Sequence, residues 1–319
     1  MKILVTYDMF REGFTELESN YDVTFPSGRD FTREEVLDMI PDYEILCPMY
    51  DFKVDKELID KATKLKLIAN YAAGFNNIDV DYAVSKGVTV ANTPNAPTQS
   101  TANIALALIL DTARRVSELD RKLRQFGKDF KVGILENQGL PVEEKTLGII
   151  GLGRIGRAVA KRAKACGMEV IYTDQHRLDL DAETKVGAMF VTKEELLKQA
   201  DFVSVNAPLT KDTFHIIGES ELKLMKPTAI LINTARGPLV DEKALINALR
   251  SGIIHGAGLD VFEFGEYPSE ELLQMDNVVL TPHIGTQTVQ TRIAMARAVC
   301  DNVIGFITGD RAVTRVLHS

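Results

Sequence analysis

The strongest constraint on the fold lies near the middle of the chain, in Leu147-Gly148-Ile149-Ile150-Gly151-Leu152-Gly153-Arg154-Ile155-Gly156. An apolar run of strand type ends in Gly-x-Gly-x-x-Gly, and residues 157–166 then read as a helix. Each glycine has a separate physical task. Gly151 permits the tight turn, Gly153 lets backbone approach a pyrophosphate, and Gly156 lets the helix pack closely on the strand. The helix N-terminus adds unpaired N–H groups for the phosphates. A second strand at residues 169–173 delivers Asp174 where a carboxylate can bind the adenosine ribose hydroxyls. A plain glycine-rich turn would explain the glycines but not the acid. The segment therefore predicts a dinucleotide site. Asp174 would repel a 2′-phosphate, which favours NAD over NADP, with Arg177 as the nearby countervailing charge.

Around this unit the chain alternates strand and helix signals. Strands are expected at residues 2–7, 23–25, 45–47, 65–70 and 88–91, with helices at 10–19, 33–39, 55–61 and 80–86 between them. Thr32 and Glu35 form a capping-box pattern before the second of these helices. Asn92-Thr93-Pro94-Asn95-Ala96-Pro97 cannot be helical and makes a hinge or domain edge. Beyond it one long helix is expected over residues 99–126, and its apolar stretch 104–110 predicts burial on all sides, within the core or in a homodimer. From residue 146 six strands follow, at 147–151, 169–173, 202–206, 229–233, 257–260 and 278–281. The expected class is α/β with two doubly wound parallel-sheet domains.

Bulk properties narrow the function. At 319 residues the chain suits two domains, and a net charge of −8 argues against nucleic acid or an anionic membrane surface as partner. The N-terminus is too quickly polar for a signal peptide, and residues 104–110 are too short to span a membrane. Three scattered cysteines suggest a reducing, cytoplasmic setting, and five scattered histidines predict no metal.

Three polar segments follow strands: Asn206-Ala207-Pro208-Leu209-Thr210, then Asn233-Thr234-Ala235-Arg236-Gly237, then Thr281-Pro282-His283-Ile284-Gly285. Ligands of doubly wound sheets bind beyond the carboxyl ends of strands, so these segments should border one crevice with the glycine loop. A nicotinamide cofactor transfers hydride. Reducing a 2-oxo acid also needs a proton donor, which His283 can be, and a cation for the carboxylate and carbonyl, which Arg236 can be.

These segments, with Gly258-Leu259-Asp260-Val261-Phe262-Glu263, resemble the D-isomer-specific 2-hydroxyacid dehydrogenases along essentially the whole chain. The resemblance implies a substrate domain at 1–98 completed by a returning C-terminal helix at 288–319. An NAD-binding Rossmann domain would be inserted at 99–287, the pair closing around a small 2-oxo or 2-hydroxy acid. It implies that Arg236 binds substrate and that His283 is the acid/base. Gly151, Gly153, Arg154, Ile155, Gly156, Asp174, Ala207, Pro208, Thr213, Thr234, Ala235, Asp260 and Thr101 would contact the cofactor. Ala73 and Gly74 would hold the substrate carboxylate through backbone N–H groups, with Met49 and Tyr50 near its R group. The chain departs from the family at one point. The glutamate expected five residues after Asp260 is replaced by Gly265. Glu266 is favoured over Glu263 as partner of His283, and a histidine without a carboxylate is the third possibility. The leading expectation is reduction of pyruvate to D-lactate. Glyoxylate or hydroxypyruvate is the nearest alternative, and an NAD-binding corepressor-like protein is the alternative from another class.

Overall fold

The computed structural model describes residues 1–310 and 313–316, and the end of the 288–319 segment lies outside them. The chain divides into two units, Met1–Pro97 with Thr286–Ser319, and Thr98–Gly285.

The first unit is built on five parallel strands: β1 (Lys2–Val5), β2 (Asp22–Thr24), β3 (Ile45–Cys47), β4 (Leu67–Ala69) and β5 (Thr89–Ala91), in the order β2-β1-β3-β4-β5. Alternation in β1 sends Ile3 and Val5 to one core layer and Leu4 to the other, so both faces are covered. The helix Val289–Thr308 packs in the first of these layers through Met295, Ala296, Val299 and Val303. The box at the helix Arg33–Met39 is complete: Thr32 accepts from the Glu35 N–H, and Glu35 accepts from the Thr32 N–H at 2.8 Å. Residues 10–19 are not one helix. A 3-10 turn at Arg11–Gly13 precedes a helix at Thr15–Asn20, because Gly13 lies against the returning helix, where an added Cβ would stand 2.2 Å from Ala296 Cβ.

The second unit holds seven parallel strands: β6 (Thr146–Ile150), β7 (Glu169–Thr173), β8 (Met189–Phe190), β9 (Phe202–Val205), β10 (Ile230–Asn233), β11 (Gly256–Leu259) and β12 (Val278–Leu280). Their order, β12-β11-β10-β9-β6-β7-β8, reverses direction between β6 and β9, which makes that point the switch of a Rossmann sheet. The sequence reading lacked β8. It is two residues long and is held at the edge by pairing with β7 and by Phe190 edge-on to Tyr172, 5.4 Å between ring centroids.

The helix expected over 99–126 is broken. It runs Thr98–Arg114, Arg115 adopts a left-handed φ of 57°, and a second helix runs Val116–Phe126. Side chains stabilise the break: Asp111 accepts from the Ser117 N–H at 2.7 Å, and Arg115 binds Glu118 through two nitrogens at 2.6 and 2.7 Å. Nor is the first helix buried on all sides within the chain. Ala102, Ala105, Leu108 and Ile109 are buried, while Asn103 and Ala107 face outward.

Candidate active site

The glycine loop leaves β6 with Gly151 at a φ of 92°, where an added Cβ would lie 2.7 Å from the Ala207 nitrogen. A Cβ on Gly156 would lie 2.3 Å from the Gly151 carbonyl, so helix and turn meet backbone to backbone. Gly153 differs, because a Cβ there would meet nothing within 4 Å. It opens the helix Arg154–Ala165 without a side-chain cap, which leaves the first-turn N–H groups, those of Arg154 and Ile155 among them, to an anion. At the carboxyl ends of β9 and β10, Asn206 Oδ1 and Thr234 Oγ1 are buried with no hydrogen-bond partner among the described residues. An open glycine face, uncapped amides and orphaned polar atoms fit a dinucleotide.

Asp174 ends β7 facing this loop, and its Oδ2 accepts from the Leu152 N–H at 2.7 Å. Arg177, the charge that could have favoured a 2′-phosphate, is held by Glu183 through two bonds of 2.9 and 3.1 Å. Ala207 is buried after β9. The next turn is tied by Thr213, whose hydroxyl donates to the Pro208 carbonyl at 2.6 Å.

Beyond β10, Asn233 shapes the loop that carries Arg236. Its amide donates to the Arg236 carbonyl at 2.9 Å and accepts from the Ala235 N–H at 3.0 Å. Gly237 presses that loop on the next one, since a Cβ would stand 1.8 Å from the Phe262 carbonyl oxygen. Asp260, buried at the end of β11, accepts from Thr281 Oγ1 at 2.7 Å, from the Ile284 N–H at 2.8 Å and from the Gly285 N–H at 2.9 Å. Burial pushes its carboxyl up from the ordinary range, against those three bonds, which favour the ionised form. The bonds fix the turn on which His283 sits half-buried with φ at 52°. Thr101 closes the same cluster, its hydroxyl 3.4 Å from the Gly285 carbonyl.

The two glutamates that flank Gly265 are placed differently. Gly265 turns with φ at 141°, and Glu266 beyond it is exposed, with no hydrogen bond or ion pair to any described residue. Glu263 is committed elsewhere. One of its oxygens lies 2.5 Å from His215 Nε2 and the other accepts from the Glu242 N–H at 2.9 Å. Glu242 in turn accepts from the Glu263 N–H at 3.1 Å, a reciprocal clasp. Sequence reading did not single out His215. It is 48 residues from Glu263, and nothing local marks the pair.

In the first unit, Met49 bridges to Tyr71 just after β3, and both Met49 and Tyr50 are half-buried. Ala73 and Gly74 lie in the turn after β4. Their N–H groups donate to no acceptor among the described residues, so this turn offers two free donors. Among the described residues, no group of three or more His, Cys, Asp or Glu is arranged to hold a metal.

Residues 106–285 match the family model described as D-isomer specific 2-hydroxyacid dehydrogenase, NAD binding domain. A glyoxylate reductase of Thermococcus litoralis is 46% identical over 313 residues, 97% of this chain and 94% of that protein. Two solved structures are also similar. The glyoxylate reductase from Paecilomyes thermophila has a TM-score of 0.89 at 35% identity, covering 99% of this chain and 98% of that one. The D-lactate dehydrogenase from Aquifex aeolicus, complexed with NAD and lactic acid, has 0.87 at 29%, covering 97% and 96%.

Proposed function

This chain belongs to the D-isomer-specific 2-hydroxyacid dehydrogenases, oxidoreductases that act on CH–OH donors with NAD, and from that premise we propose that it reduces glyoxylate and similarly small 2-oxo acids. The observation that carries the substrate is the 46% identity to the Thermococcus glyoxylate reductase across nearly the whole of both chains. It reverses the order of the sequence reading, which put pyruvate first. Pyruvate remains the second reading, supported by the likeness to the Aquifex D-lactate dehydrogenase.

NADH, when bound, supplies the hydride. The chain's own groups do the rest. Gly153, with the amides of Arg154 and Ile155, takes the pyrophosphate, and Asp174 takes the adenosine ribose. Ala207, Pro208, Thr213, Thr234, Ala235, Asp260 and Thr101 complete the cofactor contacts. Arg236 grips the 2-oxo acid through its planar fork and draws electron density toward the carbonyl oxygen, where charge builds as hydride arrives. His283, as imidazolium, passes a proton to that oxygen and leaves as neutral imidazole. Asp260 serves His283 as well, through its bonds to Ile284 and Gly285. Glu263 is clasped to His215, and Glu266 is exposed beyond Gly265. In the first unit, Ala73 and Gly74 take the substrate carboxylate, and Met49 and Tyr50 border its R group.

NADH oxidation with glyoxylate, hydroxypyruvate, pyruvate, 2-oxoisocaproate and phenylpyruvate tests the reading. Glyoxylate is expected to give the highest kcat/KM. A clear preference for pyruvate would move the assignment to the D-lactate class, and no turnover with tight NADH binding would favour a binding protein. We also propose a cytoplasmic homodimer. Among the described residues no two of Cys47, Cys166 and Cys300 are joined in a disulfide, in keeping with that compartment. The apolar side chains exposed along the second helix and the loop after it, including Ile134 at 93% and Leu135 at 88%, support the dimer.

A further inference from the structure

Behind the turn at Ala73 and Gly74 lies a ladder of three asparagine side chains. Asn70, fully buried, donates to the Gly74 carbonyl at 2.9 Å. Asn92, also buried, donates to the Ala73 carbonyl at 2.7 Å, and the Thr93 N–H donates to the Ala72 carbonyl at 2.8 Å. Three consecutive carbonyls are thus held from the protein side, while the N–H groups of Ala73 and Gly74 meet no acceptor among the described residues. The third asparagine reaches further. Asn77 Nδ2 lies 2.9 Å from the Met49 carbonyl and 3.1 Å from that of Phe52, and also 3.2 Å from Asn70 Oδ1. Asn70 Nδ2 returns the contact to Asn77 Oδ1 at 3.1 Å. The Asn70–Asn77 amide pair therefore joins the loop at residues 49–52 to the turn at 72–74, beyond the backbone bridge of Met49 to Tyr71.

Resting on the substrate reading above, we propose that Asn70, Asn77 and Asn92 are positioning residues. They aim the two free N–H groups at the substrate carboxylate, and through Asn77 they fix the distance from that carboxylate site to the loop bordering the R group. The tie acts as a ruler for substrate length. An alternative role for buried amides is plain structural satisfaction of the carbonyls. The two roles separate because the ruler acts on one ligand only. Cutting Asn77 loosens the loops that meet the 2-oxo acid and leaves the glycine loop, in the other unit, untouched.

The test compares Asn77→Ala with Val36→Ala, which removes fully buried side-chain volume from the opposite core layer of the same unit. Asn77→Ala is expected to raise KM for glyoxylate by about 10- to 100-fold, the cost of a reactant misplaced by roughly an ångström. It should narrow the ratio of kcat/KM between glyoxylate and 2-oxoisocaproate by about 5-fold or more. The Kd for NADH, read by fluorescence, should stay within about twofold. Val36→Ala should lower the melting temperature without moving KM or the ratio. The proposal is overturned if Asn77→Ala leaves KM within about twofold, or if Val36→Ala moves KM equally. Wild type turning over none of the 2-oxo acids would remove the substrate reading, and this one with it. Glyoxylate turnover by wild type with an unaltered KM in Asn77→Ala would remove the asparagine assignment alone.

Discussion

Gly237→Ala is the smallest change that should disable the arginine without touching it. The added methyl would stand 1.8 Å from the Phe262 carbonyl oxygen, 2.0 Å from its carbonyl carbon and 2.5 Å from the Glu263 nitrogen. All three are backbone atoms, so no rotamer can yield. Restoring a 3.0 Å separation from the oxygen requires the two loops to part by about 1.2 Å. Overpacking of this kind costs about 1–3 kcal/mol. In a unit of this size that corresponds to a fall in Tm of about 2–12 °C. The kinetic effect is larger in proportion, since Arg236 is the adjacent residue and moves with the loop. A displacement near 1 Å at a positioned group costs about 100-fold, and this should appear in kcat/KM for glyoxylate below the shifted Tm. The assay pairs a thermal melt with steady-state NADH oxidation. A variant that melts several degrees lower yet keeps kcat/KM within about threefold would show that Arg236 is not needed in this place. Unchanged values of both would refute the packing argument itself.

Arg236→Lys should raise KM and lower kcat together, because a point charge replaces the fork. His283→Ala should lower kcat by about 10²–10⁴ with little change in KM, and near-normal turnover would sink its role as proton donor. Asp174→Ala should weaken NADH more than NADPH and so narrow the cofactor preference. A wild-type preference for NADPH would contradict the reading of Asp174 and of the sequestered Arg177. Glu35 is held down to about 2 from its ordinary 4.5, first by its bonds from Arg29 and then by the Thr32 N–H. A lowered carboxylate stabilises above its unfolded value and loses that contribution as pH falls. The melting gap between wild type and Glu35→Gln should be present at neutral pH and shrink from about pH 4.5 toward about pH 2. A gap constant over that range would exclude ionic capping as its cause.

What the sequence disclosed was what neighbours in the chain decide. The three glycines, the acid at the end of β7 and the Thr32–Glu35 box act over a few residues, so their patterns carry their geometry. The break at Arg115 was illegible because helix propensity continues across it, and only the Asp111–Ser117 and Arg115–Glu118 contacts turn the balance. The two-residue β8 has too few positions for any period. The contact of Glu263 was hidden for a different reason. Its partner, His215, sits 48 residues away, and no spacing rule couples them. The asparagine ladder was likewise invisible, because Asn70, Asn77 and Asn92 read singly as turn formers.

The C-terminal helix bears on the order in which this chain acquires structure as it is made. Gly13 packs against Ala296, the Tyr71 hydroxyl donates to the Arg292 carbonyl at 2.7 Å, and Asn302 donates to the Asn92 carbonyl at 2.9 Å. Strands β1 to β5 leave the ribosome before residues 289–308, yet they cannot seal their core until those residues follow. At synthesis rates of about 5–20 residues per second, the roughly 190 residues between them impose a delay of about 10–40 s. The second unit, Thr98–Gly285, is contiguous in sequence. Strands made before the second unit are thus completed only after it, and for that interval their apolar faces depend on whatever shields nascent chains from one another.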